Sequence, residues 1–189
     1  MKKGLNRTLS VISKIAEIAG WIGAVLSLIL FAGSFNKDVV REIVAGKSSM
    51  VQGIGFELGL ITNTGVINYF AVSMYYIGVA IAFALVALIF RNLDIILYTI
   101  SGRYEKAEST SPFQKAVVKR VKKIGILSIA MPVFSFVLTA IVYVVSLING
   151  TPVDVSVSLE GVVIGLVCLC LTQIFSYGAQ LEEEVDGLL

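Results

Sequence analysis

The sequence predicts an all-α membrane protein: four transmembrane helices, both termini cytoplasmic, and a small β-cap built from the two outer loops. Three observations predict it. Residues 18–35, 69–90, 124–148 and 159–177 are apolar nearly throughout. Each stretch has about the 17–25 residues that a helix rising 1.5 Å per residue needs to cross a hydrocarbon core of roughly 30 Å. Lys and Arg gather on alternate connections between these stretches. Composition agrees: 57% of the 189 residues are hydrophobic and 15% charged, against about 25% charged in an ordinary soluble domain. Mean hydropathy is +0.90.

The stretches are helices because lipid offers the backbone no hydrogen bonds, so a spanning segment must satisfy its own. Val162 to Leu171 holds only apolar residues, glycine and cysteine, with no polar face for a soluble helix to turn to water. The first stretch has the basic flank of a signal peptide. No small-x-small cleavage motif with a clear polar stop follows it and three more spans do, so it reads as an uncleaved span. The chain forms one four-helix domain over residues 1–189, made of two helical hairpins.

The first outer loop begins with an amphipathic segment. Val39, Val40, Ile43 and Val44 recur at helical spacing, which predicts a short helix lying on the bilayer. Met50 to Thr62 mixes apolar residues with Gly53, Gly55 and Gly59, and Asn63-Thr64-Gly65 reads as a turn. In the second outer loop, Val153, Val155, Val157 and Leu159 alternate with Asp154, Ser156 and Ser158, a period of two that predicts a half-buried strand. Asn149-Gly150 turns into it and Pro152 suits its start. A lone strand is unstable in water, so it is expected to pair with 50–62. Proline at Val155 is expected to remove a ladder donor.

Beyond Arg91, Leu93, Ile96, Leu97 and Ile100 keep helical spacing, and Ser101-Gly102 ends that extension. A polar linker, 103–110, follows. Ser111-Pro112-Phe113-Gln114 then predicts a helix start, with Ser111 as cap, Pro112 at the first position and Gln114 closing a capping box. Phe113, Val117, Val121 and Ile124 line one face of that helix as it runs into the third span. Basic residues cover much of the rest.

Orientation follows the basic residues. Lys2, Lys3, Arg7 and Lys14 precede the first span. Arg91, Arg103, Lys106, Lys115, Lys119, Arg120, Lys122 and Lys123 lie between spans two and three. The first outer loop carries only Lys37, Arg41 and Lys47, and 149–161 carries none. Both termini and the middle loop are therefore expected in the cytoplasm. The net charge of +2 implies no affinity for nucleic acid, because the cations sit beside spans, where they favour an anionic leaflet.

Few residues offer chemistry. There is no histidine, no phosphate-binding loop and no nucleophile elbow. Cys168 and Cys170 project about 200° apart on a helix, unsuited to sharing a metal or a disulfide. No cofactor is expected. Glu17 reads as the only acid near a span interior. It stands three residues from Lys14, so an interfacial ion pair is expected, with proton coupling as the alternative. Gln173 is expected to hydrogen-bond between helices. Pro132 is expected to kink the third span. Gly161 and Gly165 form a GxxxG pair for close helix packing, with similar small residues at Gly20, Gly23, Ser27, Gly78, Ala80, Ala82, Ala84 and Ala87.

The acidic run Glu182, Glu183, Glu184 and Asp186 extends the fourth span. Spans three and four are antiparallel neighbours, so these acids are expected near Lys115, Lys119, Lys122 and Lys123. The set would serve as a clasp or a partner-binding face; a solvated tail is the alternative.

Ser111-Pro112-Phe113 with its basic helix, and 174–186 from Ile174-Phe175-Ser176-Tyr177 to Glu184-Val185-Asp186, resemble the YoaS-like bacterial membrane proteins, a family of unknown function. The resemblance covers roughly the second half of the chain. It implies four spans, a bacterial cytoplasmic membrane, no assigned enzyme activity and a regulatory partner of helix-turn-helix type. Together the readings point to a non-enzymatic membrane protein with a sensing, regulatory or accessory role. Its expected partners are the bilayer, a cytoplasmic or membrane protein, or a second copy. The alternative is a small transporter or channel subunit, or an immunity protein against a membrane-active peptide.

Overall fold

The computed structural model describes residues 2–45, 49–62, 65–101 and 113–186, and the backbone alone for 2–5 and 186. Expectations that fall on Lys47, Asn63-Thr64, Gly102, the 103–110 linker, Ser111, Pro112 and the Asp186 side chain lie outside the described residues. The elements are α1 (Lys2–Gly33), α2 (Lys37–Val44), β1 (Met50–Gln52), β2 (Phe56–Gly59), α3 (Tyr69–Ile100), α4 (Lys115–Ile148), β3 (Val155–Val157) and α5 (Glu160–Asp186). Helices α1, α3, α4 and α5 are long and apolar enough to cross a membrane.

These helices reverse the burial order of a soluble protein. On α1 the buried positions are Ser13, Glu17, Gly20, Ala24 and Ser27, while Ile15, Ile18, Ile22, Val25, Leu26 and Ile29 are exposed. Water would penalise so much exposed aliphatic surface; lipid does not. Small residues inside let backbones approach, which is how helices associate where no hydrophobic drive exists between them. The buried stripe of α4 follows the same rule through Ser128, Ser135, Thr139 and Ser146. Pro132 lies within α4, which continues past it.

Two compact units divide the chain. One comprises Met1–Ala19, Val86–Ile129 and Val162–Leu189; the other comprises Gly20–Leu85 and Ala130–Gly161.

The second unit holds the β-cap. Its sheet has the order β1-β2-β3, antiparallel throughout. The expected pairing of the two outer loops is present as β2 against β3, with Phe56 opposite Val157 and Leu58 opposite Val155. Residues 50–62 supply two strands rather than one. Gly55 takes φ +86°, and the Gly53 N–H donates to the Phe56 carbonyl at 2.8 Å, so the glycines turn the chain back as a hairpin. β3 is shorter than expected, and it alternates as expected, with Val155 and Val157 half-buried and Ser156 exposed.

One expectation about β3 is corrected. The Gly59 N–H donates to the Asp154 carbonyl at 2.8 Å and the Ser158 N–H to the Gly55 carbonyl at 3.0 Å. Bonded pairs alternate along an antiparallel ladder, so Ser156 opposite Glu57 is a bonded pair and Val155 is not. The Val155 N–H points away from β2, and proline there removes no donor from that ladder.

The core beneath the sheet contains Phe56, Leu58, Leu60, Val40, Val44, Val72, Leu138, Val142 and Val153. A Cβ on Gly78 would lie 2.7 Å from Phe56 Cζ, so the ring lies directly on the α3 backbone. Helix α2 forms as expected, with Asn36 as its N-cap accepting from the Asp38 N–H at 3.0 Å. It does not lie on the bilayer by its apolar face: Val40 is 0% and Val44 3% exposed, because that face closes the cap core. Asn68 caps α3. Its Oδ1 accepts from the Ala71 N–H at 3.0 Å, and its Nδ2 donates to Ser146 Oγ at 2.9 Å.

In the first unit, Val117, Val121 and Ile96 form a small core with Ile100, Ile124 and Phe175 against it. Helix α4 starts later than the capping-box reading requires. The Gln114 carbonyl accepts from the Val117 N–H at 2.9 Å and the Val118 N–H at 3.2 Å. Gln114 therefore holds the cap position that the sequence assigned to Ser111. The Phe113 ring meets Phe175 edge-on at 5.9 Å and covers Gly178, where a Cβ would lie 2.6 Å from its Cδ1.

Candidate functional site

Polar and charged side chains concentrate at one end of the first unit. Three helix ends build it: 92–100 of α3, 115–126 of α4, and 178–185 of α5. Phe113 and the Val117–Val121 core fix the start of α4 against α5, and this sets where the basic residues stand.

Lys115 Nζ lies 3.0 Å from Glu183 Oε2 and donates to Oε1 at 3.1 Å. The pair is exposed on both sides, with side-chain exposures of 71% and 66%. It joins the first turn of α4 to the last turns of α5. Acids at a helix C-terminus oppose its dipole, while the N-terminus of α4 attracts them. Glu182 and Glu184 are also exposed. Lys119, Lys122 and Lys123 do not approach the acids: among the described residues no carboxylate lies within 4.0 Å of them.

Those three lysines instead line a cavity of about 710 Å³, together with Lys115, Arg120, Gln114, Thr99, Ile95 and Ile126. Arg120 is the best-held cation there. Its Nη1 donates to Asn92 Oδ1 at 3.0 Å. Asn92 is 5% exposed, and its Nδ2 donates to the Leu88 carbonyl at 2.7 Å. The guanidinium is thus oriented by a buried amide, and its remaining donors are not used by any carboxylate among the described residues.

A second polar set lies on α1 and α3. Lys14 Nζ meets Glu17 Oε2 at 2.7 Å, the ion pair expected from their spacing. The Ser10 hydroxyl donates to Asp94 Oδ1 at 2.7 Å. Asp94 is 7% exposed, like Glu17. Glu17 is therefore not the only buried acid on a span helix. The apolar sequence pattern does not single out Asp94, because the apolar stretch ends at residue 90 and leaves it in the extension beyond Arg91. The signal was present: Ala80, Ala87 and Asp94 recur every seven residues, so the small-residue stripe of α3 leads to it.

Two other expectations are corrected. Gln173 is exposed, and forms no hydrogen bond among the described residues. The buried polar residue beside it is Thr172, whose hydroxyl donates to the Cys168 carbonyl at 2.8 Å. The close helix contact at Gly165 is made with Gly125 of α4, whose carbonyl oxygen would lie 2.8 Å from a Cβ there. Gly161 is half-buried, and belongs to the other unit. Cys168 and Cys170 are free thiols. Among the described residues no group of His, Cys, Asp and Glu could hold a metal ion.

No protein-family model, curated protein or solved structure matches this chain.

Proposed function

We propose that the chain is a non-enzymatic integral membrane protein with a sensing or regulatory role, working through its charged end in the cytoplasm. The observation that carries this reading is the Lys115–Glu183 ion pair at 3.0 Å, which closes the acidic end of α5 onto the basic start of α4. An exposed pair of this kind contributes at most about 1 kcal/mol and weakens with salt. It is a poor stabiliser and a workable switch, because a partner can compete for the acids at little cost. The distribution of Lys and Arg supports the orientation, with both termini and the α3–α4 connection cytoplasmic and the β-cap outside. The YoaS-like resemblance favours a bacterial membrane and a regulatory protein as that partner.

Two measurements test the reading. Reporter fusions after Arg103 and at the C-terminus should read cytoplasmic, and fusions at Gly65 and Thr151 external; an external C-terminus overturns the orientation. Mild detergent extraction should retain one defined protein on the wild type. Replacing Glu182, Glu183 and Glu184 with lysine should release it without loss of membrane insertion. A partner that survives the charge reversal, or no partner at all, refutes the role assigned to the acids.

The buried carboxylates Glu17 and Asp94 favour a second reading, a small proton-coupled transporter subunit. Proton uptake by reconstituted liposomes, lost in Glu17→Gln and Asp94→Asn, would select it.

A further inference from the structure

The basic cavity between α3 and α4 is not explained by the ion pair at its rim. Five cations line it, Lys115, Lys119, Arg120, Lys122 and Lys123. Only Lys115 has a carboxylate within 4.0 Å among the described residues. So dense a set of like charges repels itself unless an anion occupies the space. The volume, about 710 Å³, falls within the roughly 300–1,000 Å³ typical of small-molecule sites.

The lining is also divided by chemistry. Lys115, Lys119 and Lys123 stand on the part of α4 that precedes its apolar stretch. Ile126 is next along the helix, about 4.5 Å beyond Lys123 at 1.5 Å per residue, and it is 51% exposed. Ile95 joins it from α3. A ligand that fits has an anionic end and an apolar end, and sits where the two spans meet the headgroup layer. A free solute phosphate would leave Ile95 and Ile126 uncovered. An acidic peptide would have to bury them against polar backbone.

We propose that this cavity is a site for an anionic phospholipid. Its phosphate is held by the Arg120 guanidinium with Lys119 and Lys123, and its acyl chain lies along Ile95 and Ile126. Arginine suits the phosphate because its planar donors engage two oxygens at once. Asn92 is a positioning residue: it takes one Arg120 donor and orients the others. Basic pockets between spans at the membrane surface are the general setting for such headgroup recognition. The proposal does not depend on a protein partner at the acidic end of α5.

The test uses the purified, delipidated full chain in neutral detergent. Phosphatidylglycerol or phosphatidylcholine with identical acyl chains is added, and bound lipid is counted by native mass spectrometry. The wild type should retain phosphatidylglycerol over phosphatidylcholine by roughly fivefold for each cation engaged. The pair Lys119→Gln with Lys123→Gln alters only exposed side chains and should remove most of that preference. Arg120→Gln should do the same, and Asn92→Ala should weaken it while leaving every charge in place. Arg41→Gln, which like Arg120→Gln removes one positive charge but in the other unit, should leave it intact. Equal retention of the two lipids overturns the site. So does an equal effect of Arg41→Gln, which would mean bulk attraction. Displacement of the lipid by millimolar inorganic phosphate would assign the cavity to a free phosphate instead. Because no other protein is present, failure here is distinct from failure of the partner reading.

Discussion

Gly165 of α5 packs on Gly125 of α4 so closely that a Cβ at Gly165 would lie 2.8 Å from the Gly125 carbonyl oxygen. The obstacle is backbone, which cannot rotate aside. Ile129 closes the same space, with its Cγ1 against that position. Gly165→Val should therefore push the two helices apart and cost about 1–3 kcal/mol. Thermal unfolding in detergent, followed by the far-ultraviolet circular dichroism of the helices, should show a lower midpoint. An unchanged midpoint would mean that this crossing is not a stable contact.

The ladder between β2 and β3 distinguishes adjacent positions. Ser156→Pro removes a donor bonded across to Glu57 and should cost about 0.5–1.5 kcal/mol, with faster amide exchange over Phe56–Gly59. Val155→Pro should leave that exchange slow, since its N–H faces away. Equal effects at both positions would refute the register.

The buried Asp94 accepts from the hydroxyl of the half-buried Ser10. Asp94→Ala leaves that donor without its acceptor and should cost about 1–3 kcal/mol. Asp94→Asn keeps an acceptor oxygen and should cost clearly less. The comparison of their thermal midpoints checks it; a harmless Asp94→Ala would place the carboxylate outside the packing of α1 and α3.

Gln173 projects from the exposed face of α5. Gln173→Leu exchanges an amide for an alkyl group on a surface that faces lipid, so stability should hold or rise. A loss of stability of more than about 0.5 kcal/mol, the size of an interhelical hydrogen bond, read as a lower thermal midpoint, would reveal an amide bonded to a second chain.

The four spans were legible because span length and apolarity are properties of a segment by itself. So were α2 and β3, whose periods of helix and strand are set within a few residues. The charge cluster at Lys115–Lys123 is equally local. Which face each helix turns inward is not. Gln173 and Thr172 are neighbours of similar polarity, yet one is exposed and the other buried, because only the seam against α4 at Gly125 decides the rotation of α5. Asp94 is buried for the same kind of reason: Ser10 of α1 meets it, and no feature of 90–100 alone announces a partner 84 residues away. The hairpin within 50–62 was hidden because glycine marks a turn without saying which strands it joins. Sequence fixes what a segment can be in isolation; the tertiary structure decides which side of it meets another segment, since that depends on complementary shape and hydrogen bonding across distances the local pattern does not encode.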